Sequence, residues 1–162
     1  MIATPDTFPI DRWMHEIVPN VFQTMLALDA APVAESATPA TTERVVGAIG
    51  VGGESVAGSI YLQIPARLAD ALTCTLLGLP AEELPAPADV NDVVGELCNM
   101  VSGSFKSALS NHGNPCAMSP PSIIRGSAFA IESLPGARRE TFHFDCLNQR
   151  FSLEIHLQLQ DP

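Results

Sequence analysis

An α+β fold, an antiparallel sheet with long helices packed on one face, is what this sequence predicts, and three observations predict it. Residues 141–147 and 151–159 alternate apolar and polar side chains (Phe142, Phe144, Cys146; then Phe151, Leu153, Ile155, Leu157, Leu159), so each strand has one buried and one wet face. Residues 10–29 and 89–111 instead repeat apolar side chains every three or four positions, the period of an amphipathic helix. The 162 residues are 46% hydrophobic and only 16% charged, which excludes general disorder. A chain of this length buries a core without disulfides or metals, and residues 1–162 read as a single domain.

Each element has its own warrant. Ile10, Trp13, Ile17, Val21, Met25 and Leu28 mark the buried stripe of the first helix. Pro19 inside it predicts a kink or the loss of the first turn. Residues 32–42, rich in Pro, Ala and Thr, predict a loop. Strands follow at 44–51 and 56–64, rich in Val, Ile and small residues, with Gly52, Gly53, Glu54 and Ser55 as the hairpin turn. Pro65 stops the second strand. Leu68, Leu72 and Leu76 set a helix at 66–77 that Gly78 ends. Residues 79–88 connect it to the next element. Asp89 is the expected N-cap of the long helix, with Asp92 in its first turn, where the helix dipole favours negative charge. The run from Asn111 to Pro115 breaks that helix. A further extended segment, 122–131, precedes the two alternating strands, which a turn at 147–150 joins. The order helix, strand, strand, helix, strands suggests a loose internal duplication in which the two long helices are equivalent.

The charge balance narrows the partners. Acidic residues number 18 against 8 basic, a formal net charge of -10. Such a chain repels phosphate backbones and anionic lipid, which argues against nucleic acid or membrane surfaces as partners and suits a basic protein surface. No apolar run reaches the roughly 20 residues that span a bilayer. The first residues show no basic region leading into an apolar stretch, so no secretory leader is expected and the expected location is cytoplasmic. Cys74, Cys98, Cys116 and Cys146 form no C-x-x-C pair and read as reduced, buried apolar residues. His15, His112, His143 and His156 lack metal-ligand spacing, so neither a metal nor a cofactor of its own is expected. His143 and His156, on the alternating strands, read as exposed or hydrogen-bonded.

The informative stretch is DVNDVVGELCNMVSGSFKSALS, residues 89–110. On a helical wheel Val90, Val94, Leu97, Val101, Phe105 and Ala108 form the core stripe, and Asp92, Glu96, Asn99 and Gly103 share the opposite face. Glu96 and Asn99 are three apart and therefore surface neighbours. Gly95, Ser102, Gly103 and Ser107 flank them. A merely solvated helix favours Ala, Glu, Lys or Arg there, since each internal Gly costs about 1 kcal/mol against Ala. The small residues give a low-relief surface that another protein can approach closely. Periodicity alone leaves two readings open, such a docking face or an ordinary exposed one.

The longer string shifts the balance toward the docking face. D-x-x-x-E-x-x-N, here Asp92, Glu96 and Asn99, followed beyond the helix by Pro120 and Pro121, resembles the signature of the CheC/CheX/FliY family of chemotaxis phosphatases. GELCNMVSG, the later SPPSIIRG and the opening NVFQTML look like the CheX branch. The resemblance implies a CheX-like fold and a phosphatase acting on the aspartyl phosphate of a CheY-type response regulator. It implies that Glu96 pairs with the regulator's active-site lysine and that Asn99 orients a water for in-line attack. Magnesium then belongs to the regulator. The alternative is a non-enzymatic docking or adaptor module that binds a regulator or a flagellar switch component through the same face.

The remaining residues have narrower roles. Asp92 either supports the helix start or orients Glu96. Lys106, the only lysine, lies on the same broad face, where it is solvated or pairs with an acidic edge of the regulator. Members of the CheC branch carry the Glu/Asn pair on both equivalent helices. Here Glu16 and Asn20 are four apart with Pro19 between, so no second site is expected. The proline after the signature is displaced by one or two positions from the family spacing. The resemblance also implies a homodimer through strand addition, at 122–131 or at the last strands.

Overall fold

The computed structural model describes residues 8–35 and 42–160. In chain order the elements are α1 (Ile10–Leu26), β1 (Ala31–Val33), β2 (Arg44–Gly52), β3 (Val56–Pro65), α2 (Ala66–Leu77), α3 (Pro87–Asn111), β4 (Ala117–Met118), β5 (Ser122–Gly126), β6 (Arg138–Cys146) and β7 (Gln149–Leu159). The strands make one antiparallel sheet in the order β1-β6-β7-β3-β2-β4, with β5 also paired to β2. The α+β fold expected from alternation is therefore the observed one. Phe144, Phe151, Leu153 and Ile155 belong to the core cluster together with the inner faces of the helices. Phe22 of α1 stacks on Phe151 at 4.8 Å between ring centroids, which seats α1 over the β6–β7 hairpin.

The expected duplication takes a reciprocal form. The hairpins β2–β3 and β6–β7 meet at the central β3–β7 pair. The short strand after each long helix crosses to the other hairpin: β1, after α1, pairs with β6, and β5, after α3, pairs with β2. Each half thus closes the sheet of the other.

Several boundaries differ from expectation, each for a physical reason. Helix α1 runs through Pro19 unbroken, and the His15 carbonyl that loses its donor belongs to an exposed residue, where water can replace it. The helix ends at Leu26 rather than Asp29, because Ala27 adopts φ 53° and donates its N–H to the Gln23 carbonyl at 3.0 Å. The loop expected from Pro32 begins instead as strand β1, where Pro32 is tolerated at the sheet edge. Residues 1–7, which carry most of the reading on a leader, and 36–41 of that loop lie outside the described residues. Ala86, not Asp89, is the N-cap of α3, and Pro87 takes the first helical position that its fixed φ suits. Asp89 then occupies the first turn and Asp92 the second.

Strand β5 stops at Gly126, short of Ile131, and a two-residue β4 precedes it. The segment beyond β5 is held by Arg44, which donates to the Phe129 carbonyl and lies 4.2 Å over the Phe129 ring. Leu147 and Asn148 have φ 49° and 58°, a two-residue hairpin turn, so Gln149 and Arg150 already belong to β7. Strand β7 is interior, flanked by β6 and β3, so it offers no free edge for strand addition, whereas β5 and residues 138–142 of β6, beyond its pairing with β1, keep an edge unpaired among the described residues.

Candidate functional site

The inner stripe of α3 fixes what its outer face can present. Val90, Val94, Leu97, Val101 and Phe105 are buried as expected, but Ala108 is only half-buried and Leu109 takes the last core position. Burying a side chain such as Phe105 contributes about 1.5–3 kcal/mol toward holding this orientation. Gly47 of β2 lets the helix lie almost on the strand backbone, since a Cβ there would come within 2.8 Å of the Cys98 Cβ. Burial pushes the Cys98 thiol up to about 11, so it is a neutral packing group beneath the site.

With that stripe anchored, the opposite face turns outward. Asp92 and Glu96 are exposed, and Asn99 and Gly103 are half-buried. Glu96 and Asn99 stand one turn apart, about 5–6 Å between Cβ atoms. The side chains of Asp92, Glu96 and Asn99 make no hydrogen bond or ion pair with any described residue. A Cβ on Gly103 would meet nothing within 4 Å, so the surface beside Asn99 is bare.

Two of the small residues do something other than expected. Gly95 is buried, and its missing Cβ would stand 3.7 Å from Pro121 Cγ and 3.8 Å from Ile123 Cδ1. Ser102 is fully buried. Gly95 therefore makes room for the chain's own segment rather than for a partner.

That segment is a wall along one flank of the helix, running antiparallel to it. At one end the half-buried Lys106 lies near Cys116, whose thiol burial pushes up while the lysine charge pulls it down. In the middle Pro121 and Ile123 pack on Gly95. At the other end Arg125 Nη2 donates to Asn91 Oδ1 at 3.2 Å. Ser119 pins the wall to the sheet: its Oγ accepts from the Gly50 N–H at 2.9 Å and donates to the Pro120 carbonyl at 3.1 Å. Sequence reasoning quoted SPPSIIRG for its prolines and missed Ser119 and Arg125. A hydroxyl directly before a Pro pair is a turn signal that would have singled out Ser119.

Other expected features fall away from this ridge. The first-helix pair is occupied, with Glu16 holding Arg12 Nε at 3.1 Å. His156 is buried and bonded to Glu154 at 2.7 Å, while His143 is half-buried with neither ring nitrogen partnered. A recess of about 350 Å³ lies between α1 and β6, lined in part by Asp11, His15, Glu35 and His143, and includes no residue of α3. Among the described residues no group of three or more His, Cys, Asp or Glu is placed to hold a metal ion, and no helix is long and apolar enough to cross a membrane. The four cysteines are free, and three of them are buried. An acid and an amide on an open ridge can bind and orient, and neither is itself an activated nucleophile.

The chain is similar to known proteins in sequence and in fold. The family model described as chemotaxis phosphatase CheX matches residues 45–145. No curated protein matches the chain. Among solved structures, the chemotaxis protein CheX from Vibrio vulnificus is 25% identical, with TM-score 0.79 over 96% of this chain and 100% of that one. A CheC-like superfamily protein from Shewanella is also 25% identical, with TM-score 0.77 over 92% and 96%. The CheX of Borrelia burgdorferi, solved with CheY, BeF3 and magnesium, shares the fold at 18% identity and TM-score 0.64, over 94% of this chain and 97% of that one.

Proposed function

Since the chain belongs to the CheX family, we propose that it hydrolyses the aspartyl phosphate of a CheY-type response regulator in chemotaxis-type signalling. The outer face of α3 docks over the regulator's phosphorylated site. Glu96 meets the regulator's active-site lysine in a charge-assisted contact that sets the distance of approach. Asn99 enters beside the acyl phosphate and holds a water in line. The water oxygen bonds to phosphorus as the bond from phosphorus to the aspartyl oxygen breaks, and the proton leaves with inorganic phosphate. An acyl phosphate is already activated, so positioning supplies most of the acceleration. A neutral amide suits the task, because a carboxylate at that position would be repelled by the phosphoryl oxygens. Magnesium is the regulator's own.

The observation that carries this reading is that Glu96 and Asn99 project together on a bare ridge with no partner within the described residues. The Borrelia burgdorferi CheX solved with CheY supports a regulator as the partner. Reaction with a response regulator sets the protein in the cytoplasm, and the edge strand β5 is where a second copy would add to form a homodimer.

The test is the decay of a phosphorylated CheY-type regulator with and without the protein. Wild type accelerates the decay, and Asn99→Ala loses about 100-fold or more of that acceleration while keeping its fold by circular dichroism. An Asn99→Ala protein as fast as wild type would overturn the mechanism. Tight binding with unchanged decay would instead make the chain an adaptor.

A further inference from the structure

The chain carries 18 acidic residues and only 8 basic ones, so where its cations are left unspent is informative. Arg12 pairs with Glu16, Arg138 with Glu140, Arg139 with Glu154 and Arg150 with Asp145. Arg44 is committed to Phe129. Three cations have no carboxylate within ion-pairing reach among the described residues: Arg67, Lys106 and Arg125. Two of these three border the outer face of α3, one at each end of the wall. The charge of Lys106 acts on Cys116, and the exposed Arg125 donates to Asn91. From residue 91 to residue 106 the helix rises about 22 Å, and Glu96 and Asn99 fall between.

We propose that Arg125 is a docking residue for the carboxylate-rich surface around the partner's phosphorylated aspartate, and that with Lys106 it brackets the site and sets affinity rather than rate. This rests on the phosphatase reading above. A phosphoryl group adds about two negative charges to its surface, which the partner's own magnesium and lysine offset only in part. That surface approaches a body of net charge -10 through a face that itself carries Asp92 and Glu96. That encounter is repulsive unless cations at the rim offset it, and rim charges act chiefly on association and on its salt dependence. An arginine fork fits a carboxylate edge-on with two parallel hydrogen bonds, which a lysine cannot supply. The Asn91 contact uses one nitrogen of Arg125 and adds no charge, and the Asp70 carboxylate of α2 acts on Arg125 only from beyond ion-pair distance.

A structural role for Arg125, tying β5 to α3, predicts a different pattern of variants, so three are compared. The probe is a CheY-type receiver domain phosphorylated with acetyl phosphate in magnesium buffer, titrated at low and at moderate salt. Arg125→Glu raises the KM for the receiver about fivefold or more, keeps kcat within twofold, and flattens the salt dependence of KM. Asn91→Ala, which removes the hydrogen bond and keeps the charge, stays within twofold of wild type in both. Arg125→Lys recovers part of the affinity. An unchanged KM in Arg125→Glu, or Asn91→Ala reproducing its defect, overturns the docking role while the phosphatase reading stands. If wild type gives no accelerated decay, that reading has failed, and Arg125 is then judged by equilibrium binding to the same receiver. Binding at least fivefold weaker in Arg125→Glu sustains the proposal, and equal binding, or none by wild type, ends it.

Discussion

Helices α1 and α3 hold equivalent places in the two halves of the sheet, yet their outer faces are built to opposite ends. On α1 the exposed ionisable groups satisfy one another. Arg12 holds Glu16 at 3.1 Å, and His15 Nδ1 lies 3.6 Å from Asp11 Oδ2, both at i,i+4 spacing. On α3 the exposed Glu96 and the half-buried Asn99 have no such neighbours among the described residues, and a Cβ on Gly103 in the next turn would meet nothing within 4 Å. The inner faces are alike in kind: apolar stripes, each seated on a hairpin. Duplication of a scaffold therefore does not duplicate a site. What separates a functional face from a structural one here is whether its polar groups are already spent.

The sharpest way to break that comparison is to strip the equivalent pair from each helix. Glu96→Ala with Asn99→Ala on α3 should leave about 1% or less of the accelerated regulator decay. Glu16→Ala with Asn20→Ala on α1 should leave the rate within twofold and cost only a few tenths of a kcal/mol, because an exposed i,i+4 pair contributes little. Matched stopped-flow decay curves decide it. Equal losses on both helices would mean that α1 is a second site after all.

How far the sequence reached differs between the scaffold and the site. Alternation in β6 and β7 and the three-to-four repeat of α1 and α3 were legible because long elements with one buried face must show a period. Strands β1 and β4, of 3 and 2 residues, are too short to carry one. Asp89 drew the start of α3 to itself because it is a good cap type, whereas Pro87 marks the first turn more strongly. The wheel puts Asp92, Glu96 and Asn99 on the outer face, where Asp92 and Glu96 are exposed and Asn99 is half-buried. The burial of Gly95 was not legible there, since a wheel gives the direction of a side chain and not what the rest of the chain lays over it. Lys106 was legible as a cation on the face. Arg125 was not, because only the β5 register brings it beside Asn91.

Seating α3 on β2 should have a smaller but separable effect. Gly47→Ala would drive a Cβ to 2.8 Å from the Cys98 Cβ, and both atoms sit on backbone that cannot move alone. Overpacking of this kind costs about 1–3 kcal/mol, read as a lower urea midpoint. The displaced helix should also slow regulator decay, whereas an equal stability loss placed under α1 should not. If Gly47→Ala lost stability and kept full activity, the docking face would not depend on this contact.

The spent charges predict a pH effect of their own. The hydrogen bond from Arg150 holds the Asp145 carboxyl below the usual carboxylate range. Its native state favours the ionised form, so the contribution is complete above the unfolded value of about 3.9 and fades as pH falls through the lowered native value. Asp145→Asn should therefore be less stable than wild type at pH 6, with the difference closing in strong acid. Thermal melts at several pH values measure this, and a constant difference down to pH 2 would exclude the linkage.

The smallest effect belongs to Asp70, where the sign reverses. Burial raises its carboxyl, Arg125 pulls it back down, and Glu43 adds to the rise. A raised native value means that stability is lost as pH climbs from the unfolded value through the native one, and the penalty is fully present at neutral pH. Asp70→Asn should then melt slightly higher than wild type at pH 7 and the same below about pH 3.5. It should also release Arg125 from a nearby negative charge. If Arg125 docks an anionic partner, the KM for the phosphorylated receiver should fall by about twofold at low salt, and the gain should vanish at high salt as screening removes it. A melt that rises without any change in KM would separate the two consequences, leaving Asp70 as a desolvated carboxylate with no influence on the face beside it.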